Sequence, residues 1–211
     1  MQRLCASVQR IQFQLVLAAI VGAVAAPAAA CGYHDAATVH LGMLNLSYPQ
    51  ALHVRTAVWM AQRDGTLARP VDADRQLDDA STRLRAMLRY RETVAALDVL
   101  GSRLDGARDG RAVPSFSVVL IGPMLWTRFD TSNPTIAMSA HVDGPGRDHV
   151  VVVTDAPVLA ALADGRLSPE SARRHGLIRF YGSAEATLEV ASLLDRADRS
   201  LPDTASRGSD R

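Results

Sequence analysis

The chain has 211 residues, of which 48% are hydrophobic, and its formal charge is +1. This hydrophobic content is enough for a folded core and is higher than in disordered chains. The chain has no basic excess to neutralise a phosphate backbone, so we expect no nucleic-acid partner. The composition therefore indicates an ordinary globular protein.

The N-terminal residues 1–30 have the features of a secretory signal. Arg3 and Arg10 precede an apolar, alanine-rich run at 15–30, which is short for a membrane-spanning helix of about 20 residues. We therefore expect cleavage and export. Loss of this segment removes two arginines and no acidic residue, which brings the formal charge from +1 to −1.

Cys31 directly follows the small residues Ala29 and Ala30, and this junction resembles the bacterial lipobox, whose cysteine is lipidated. A leucine is usual three residues before that cysteine, where this chain has Ala28. The same small residues would also serve ordinary cleavage after Ala30. The sequence thus leaves two locations open, an outer-membrane-anchored lipoprotein and a soluble periplasmic protein. Cys5 lies inside the signal, so no intramolecular disulfide is expected in the mature chain.

Residues 31–110 are predicted to form a helical N-terminal region. A first helix begins near Ser47, the predicted N-cap, with Pro49 in its first turn, and stops at Asp64-Gly65. A longer helix begins at Asp78 or Asp79 and ends near Leu104. Its predicted apolar stripe could serve core packing or contact with a protein partner through residues 78–104. The stripe comprises Leu84, Met87, Leu88, Val94, Ala95, Leu97 and Leu100.

Strand patterns begin near residue 115, and residues 111–197 are predicted to form an α/β domain. The segment 116–129 is rich in β-branched and aromatic residues and is divided by Gly122-Pro123. Residues 135–143 alternate apolar and polar side chains, and a strong strand follows at 149–154. The short turn between these two strands predicts an antiparallel hairpin.

Helix-capping residues punctuate the segment that follows. Asp155 predicts the start of one short helix, and Ser168 with Pro169 predicts the start of a second. A strand over 177–182 and an amphipathic helix through Leu188, Ala191 and Leu194 complete the domain. Residues 198–211 are predicted to be a disordered tail.

The order of these elements resembles the C-terminal half of the sterol-carrier-protein family over about residues 115–197. The residues that carry the resemblance are Gly165, Leu167, Ser168, Pro169 and Ala172, then the strand "GLIRFYG" at 176–182 and Ser183. The resemblance implies a small α/β fold whose mostly antiparallel sheet and helices enclose an apolar tunnel for a lipid, sterol or isoprenoid. The tunnel residues that it implies are Met124, Trp126, Phe129, Met138, Leu159, Leu162 and Phe180.

No pattern in the sequence points to catalysis. There is no nucleophile elbow and no phosphate-binding loop, so we expect a binding protein without a cofactor and not an enzyme. An envelope protein with a filled core is an alternative. Copper or zinc binding near the mature N-terminus is a weaker one. Its candidate ligands are Cys31, His34, His40, Met43 and His53, whose spacing matches no closed tetrahedral pattern.

Overall fold

The computed structural model describes residues 39–69, 79–147 and 149–200. The signal segment 1–30, the candidate lipidation residue Cys31 and the candidate metal ligand His34 lie outside the described residues, as do residues 201–211 of the tail. The helices are α1 (Val39–Ser47), α2 (Ala51–Arg63), α3 (Asp79–Arg108), α4 (Ala156–Ala163), α5 (Pro169–Arg174) and α6 (Ala184–Arg199). The strands are β1 (Phe116–Leu120), β2 (Leu125–Asp130), β3 (Ala137–Val142), β4 (Val150–Thr154) and β5 (Arg179–Tyr181).

The predicted N-cap at Ser47 is wrong, because Ser47 is the last residue of α1. Gln50 precedes α2 with a φ of 80° and makes no side-chain cap. The side chain of Asn45 takes over part of this role, since its Oδ1 accepts a hydrogen bond from the backbone N–H of Leu52 at 3.2 Å. A residue of the preceding helix thus accepts a hydrogen bond from an N–H that has no partner within the first turn of α2.

Helix α3 runs beyond the predicted end at Leu104, to Arg108, and stops at Asp109 and Gly110, which both have positive φ. Part of its predicted apolar stripe is wrong. Leu84, Met87, Leu88 and Ala95 are exposed, whereas burial begins at Thr93. From there the buried side of α3 continues through Leu97, Leu100 and Leu104.

The five strands form one sheet in the order β3-β2-β1-β4-β5. β1 pairs antiparallel with β2, β2 with β3, and β4 with β5, whereas β1 and β4 are parallel. The predicted α/β class with a mostly antiparallel sheet is therefore confirmed. The predicted β3–β4 hairpin is wrong, because β2 and β1 lie between these two strands. Every residue of β4 is buried, a pattern typical of a central strand and not of one with a solvent-facing side.

Residues 143–149 connect β3 to β4 by crossing one face of β2 and β1. Arg128 Nε donates to the Gly144 carbonyl at 2.9 Å, and the Gly146 N–H donates to Ser117 Oγ at 3.2 Å. Ser117 Oγ also lies 3.0 Å from His149 Nδ1. A Cβ on Gly146 would lie 2.3 Å from the His149 ring, so a larger residue at this position would displace that ring.

The predicted caps of the C-terminal helices are confirmed. Asp155 accepts from the Ala156 N–H at 2.8 Å, and Ser168 Oγ accepts from the Ser171 N–H at 3.2 Å. Helix α6 reaches Arg199, past the predicted start of the tail at residue 198. Its predicted apolar face is wrong at Leu188, which is exposed. The buried residues of α6 are Val190, Leu193, Leu194 and Ala197.

Helices lie on both faces of the sheet, and Arg103 joins those on one of them. Its guanidinium donates to the carbonyls of Leu162 and Ala163 at the end of α4, and to that of Ala197 near the end of α6. A cation at two helix C-termini is favourable, because the last carbonyls of a helix lack backbone partners. α3, α4 and α6 are therefore joined at one point. None of the helices in the described ranges is long and apolar enough to cross a membrane.

We expect Arg103→Met to lower the free energy of unfolding by about 2 kcal/mol, because it leaves partly buried helix-end carbonyls without their charged donor. Arg91→Met, at an exposed position of the same helix, is the matched control and should change stability by less than about 0.5 kcal/mol. Urea denaturation of both variants measures the difference. Equal stability of the two variants would show that Arg103 does not hold the three helices together.

Candidate binding cleft

Strand pairing assigns the side chains of the sheet to two faces. Phe116, Phe129 and Met138 are register partners across β1, β2 and β3, and paired residues of neighbouring strands project to the same side. We call this side the inner face. No strand residue on it carries a charge. Its residues are Phe116, Val118, Leu120, Leu125, Thr127, Phe129, Met138, Ala140, Val150, Val152, Thr154 and Phe180.

Helix α3 lies directly on the inner face. A Cβ on Gly101 would lie 3.4 Å from Phe129 Cε1 and 3.9 Å from Met138 Cβ. Phe129 in turn stacks on Phe116, with ring centroids 4.8 Å apart and an interplanar angle of 9°. Further toward the N-terminus of α3, the Tyr90 and His141 rings are 6.2 Å apart. The helix thus follows β3 from His141 to Met138.

The cover over the inner face is complete at its centre and incomplete at the β3 edge. All of β1 and β4 is buried, whereas Met138 and Ala140 are only half-buried. On the helix side, Tyr90 and Val94 are also half-buried. Tyr90, Val94 and Gly101 share one side of α3, because they are separated by four and seven residues. We call the boundary between these α3 residues and Met138 and Ala140 the α3–β3 cleft; helix and sheet are in contact across it at Gly101.

Thr127 is the inner-face residue behind this cleft. It pairs with Ala140 on β3 and Val118 on β1, and its exposed fraction is 0%. Its Oγ1 has no hydrogen-bond partner among the described residues. The other inner-face hydroxyl, that of Thr154, donates to the Leu177 carbonyl at 2.9 Å. Thr127 is therefore the inner-face side chain whose polar atom is left unpaired.

A β-bulge ends the regular part of the cleft. Trp126 pairs with Val142, whereas the next residue, Thr127, pairs with Ala140. His141 is the extra residue and has a φ of 59°. The bulge moves Val142 to the Trp126 side of the sheet, so the predicted alternation of 135–143 holds only as far as Ala140. It also leaves His141 beside Tyr90 at the mouth of the cleft.

The structure brings some of the predicted tunnel residues together and separates others. Phe129, Met138 and Phe180 are on the inner face, and Leu159 and Leu162 are buried in α4, which contacts α3. Trp126 is on the opposite face, and Met124 lies in the β1–β2 turn with a φ of 50°. Trp126 therefore does not share a site with Phe129 and Met138. The residue-level predictions missed Thr127, Ala140, Tyr90 and Gly101.

The opposite, outer face is occupied by α2 and by the crossing segment 143–149. Tyr48 packs against Trp126 and Tyr181, with ring centroids 5.9 and 5.2 Å away. The Tyr181 hydroxyl donates to the Pro49 carbonyl. Burial raises the pKa of both tyrosines, and for Tyr181 the positive charge of Arg179 opposes this rise in pKa. Both phenols are thus neutral at physiological pH.

Solved structures similar to this chain include sterol carrier proteins. The crystal structure of sterol carrier protein 2 like 2 from Aedes aegypti is 18% identical, with a TM-score of 0.38, and the match covers 49% of this chain and 97% of that one. The palmitated form of that mosquito protein, solved by NMR, is 15% identical over 47% and 90%, with a TM-score of 0.37. A crystal structure of sterol carrier protein 2 is 17% identical over 52% and 95%, also with a TM-score of 0.37.

These matches span about half of this chain and nine-tenths or more of each solved structure. The chain matches no protein-family model and no curated protein sequence.

We expect Gly101→Leu to destabilise the protein by about 1–3 kcal/mol, because the larger side chain would force α3 away from Phe129. Gly106→Leu is the matched control in the same helix, since nothing lies within 4 Å of a Cβ at Gly106. That substitution should be neutral or slightly stabilising, because leucine favours helix over glycine. Thermal unfolding of both variants tests the close approach. A stable Gly101→Leu variant would mean that α3 is not in close contact with the sheet at this point.

Proposed function

We propose that this protein binds an elongated apolar molecule in the α3–β3 cleft and does so without catalysis. The observation that carries the proposal is the uncharged inner face, whose cover is incomplete where Met138 and Ala140 are half-buried. An apolar ligand would complete the cover. Each methylene removed from water contributes about 0.8 kcal/mol, so a hydrocarbon chain needs no charged group to bind here.

Binding requires α3 to move. Gly101 lies against Phe129 and Met138, so the contact must open before a chain can pass between helix and sheet. The first part of α3 contributes less to the core than the second, since its side chains from Ser81 to Glu92 are exposed or half-buried. The other end is fixed by Arg103 and by Asp105, whose Oδ1 accepts from the Ile136 N–H at 2.7 Å. We infer that α3 pivots at its C-terminal end, near Arg108, and that the contact at Gly101 opens as the rest of the helix lifts from β3.

The residues at the cleft favour a carrier over an enzyme. Thr127 supplies a hydroxyl, but no inner-face strand residue could act as its general base. The Ser117–His149 pair is a nucleophile and a base within hydrogen-bond distance. Ser117, however, is fully buried and its Oγ accepts from the Gly146 N–H, so it anchors the crossing segment. Catalysis at this pair would require the segment 143–149 to open.

The sequence resemblance favours a lipid, a sterol or an isoprenoid as the ligand. We also propose that the chain is exported to the periplasm, and that Cys31 carries a lipid anchor if the junction is read as a lipobox. The uncharged sequence of residues 39–54 and the exposed apolar side chains within it support this proposal. None of the described residues 39–54 is acidic, lysine or arginine, and the apolar side chains of Met43 and Leu46 are 62% and 79% exposed. Such a surface is compatible with a position close to a bilayer.

A second candidate function is contact with a protein partner through α3. Leu84, Met87 and Leu88 are 53%, 54% and 45% exposed and are spaced by three and four residues. Apolar side chains at this spacing form a continuous stripe that another helix could cover. This function would require no ligand in the cleft.

Native mass spectrometry of the full chain purified from cells tests the first proposal, and we expect a small apolar molecule to be released on denaturation. Ala140→Glu should abolish its retention, because a carboxylate would enter the cleft. Ser139→Glu, one residue away on the exposed outer face, is the matched control and should retain the molecule. A bare mass that stays unchanged after incubation with fatty acids and isoprenoids would overturn ligand binding and favour the protein-partner function.

A further inference from the structure

The unpaired hydroxyl of Thr127 is unusual for its surroundings. The neighbouring inner-face positions Val118, Val150 and Val152 carry valine, which has the same shape as threonine without a polar atom. A buried hydroxyl without a partner loses its hydrogen bonds to water and gains none in return. Stability alone would therefore favour valine at this position as well.

The location of Thr127 suggests what its hydroxyl can reach. Gly101 lies over Phe129 and Met138, and Tyr90 lies beside His141, so the part of α3 between them passes over the Thr127–Ala140 pair. Ala140 is half-buried and offers only a methyl group between Thr127 and the cleft mouth. A molecule lying on the cleft floor would pass close to Thr127 Oγ1.

We propose that Thr127 Oγ1 binds a neutral hydroxyl or carbonyl oxygen of the ligand, which makes the ligand a neutral amphiphile. This inference rests on the proposed apolar-ligand function and adds its polar specificity. A threonine hydroxyl both donates and accepts, so it suits an alcohol or a carbonyl. A carboxylate at Thr127 is disfavoured, because no inner-face strand side chain carries a positive charge to compensate its burial there.

The test compares three pyrene-labelled probes of one chain length: 12-(1-pyrenyl)dodecanol, 1-dodecylpyrene and 12-(1-pyrenyl)dodecanoic acid. We expect the wild-type chain to bind the alcohol about two- to tenfold more tightly than the hydrocarbon, the gain of one neutral hydrogen bond. The acid, ionised at pH 8, should bind more weakly than the alcohol. Fluorescence titration measures all three affinities.

Three variants test whether the preference for the alcohol over the hydrocarbon arises from Thr127 Oγ1. Thr127→Val should remove the preference for the alcohol while leaving the fold intact, and Thr127→Ser should keep it. Ser139→Ala removes a hydroxyl from the exposed side of β3 and should keep it too. Circular dichroism confirms folding of each variant.

Each contrary outcome is specific. If the wild-type chain binds the alcohol and the hydrocarbon equally well, the proposed role of Thr127 is overturned. The role is also overturned if Thr127→Val still binds the alcohol more tightly than the hydrocarbon. Tightest binding of the acid would overturn the neutral-ligand assignment. Binding of none of the probes would instead overturn the proposed function itself, and the inference with it.

Discussion

The uncharged inner face of the sheet is the constraint on which the rest of this structure depends. A sheet face made of valine, leucine and phenylalanine must be removed from water, and helices α3, α4 and α6 provide the cover. Arg103 of α3 joins these helices by donating hydrogen bonds to the carbonyls at the ends of α4 and α6. Arg196 of α6 donates a further hydrogen bond from Nε to the Ala107 carbonyl of α3 at 3.1 Å. The cover is held firmly at the centre of the sheet and loosely at β3. The proposed site is the place where it is incomplete.

The outer face of the sheet is covered by α2, so the proposed site lies on the inner face only. Val119 and Val153 are fully buried there, and α2, which contacts β4, buries Val54 and Val58 on its own apolar side. Arg55 fixes α2 by donating to Asp155 Oδ2 at 2.8 Å. The Asp155 carboxylate also accepts from the N–H of Gly122 and caps α4. One buried carboxylate thus connects α2, the β1–β2 turn and the start of α4.

The caps of the C-terminal helices were predictable from the sequence, whereas the start of α2 and the tertiary placement of the elements were not. Asp155 and Ser168 cap their helices because capping depends on a few neighbouring residues. The β3–β4 hairpin failed because a glycine- and proline-rich segment suits a tight turn and a crossing equally well, and only the uninterrupted valines of β4 indicated a central strand. Leu84, Met87 and Leu88 have helical spacing, but burial on α3 starts only at Thr93. Thr127 was missed because an unpaired hydroxyl is a property of its partners and not of its own residue type.

The measurement that tests the central claim most directly is ligand binding to a chain in which α3 is covalently held on β3. A Cβ at Gly101 lies 3.9 Å from Met138 Cβ, which is within the range for disulfide-linked residues. The variant is G101C/M138C, with Cys5 and Cys31 replaced by serine, and 1-dodecylpyrene is the probe. The oxidised form should not bind the probe, and reduction should restore binding to the same sample. Equal binding by the oxidised and reduced forms would contradict the opening of α3 and the cleft as the site.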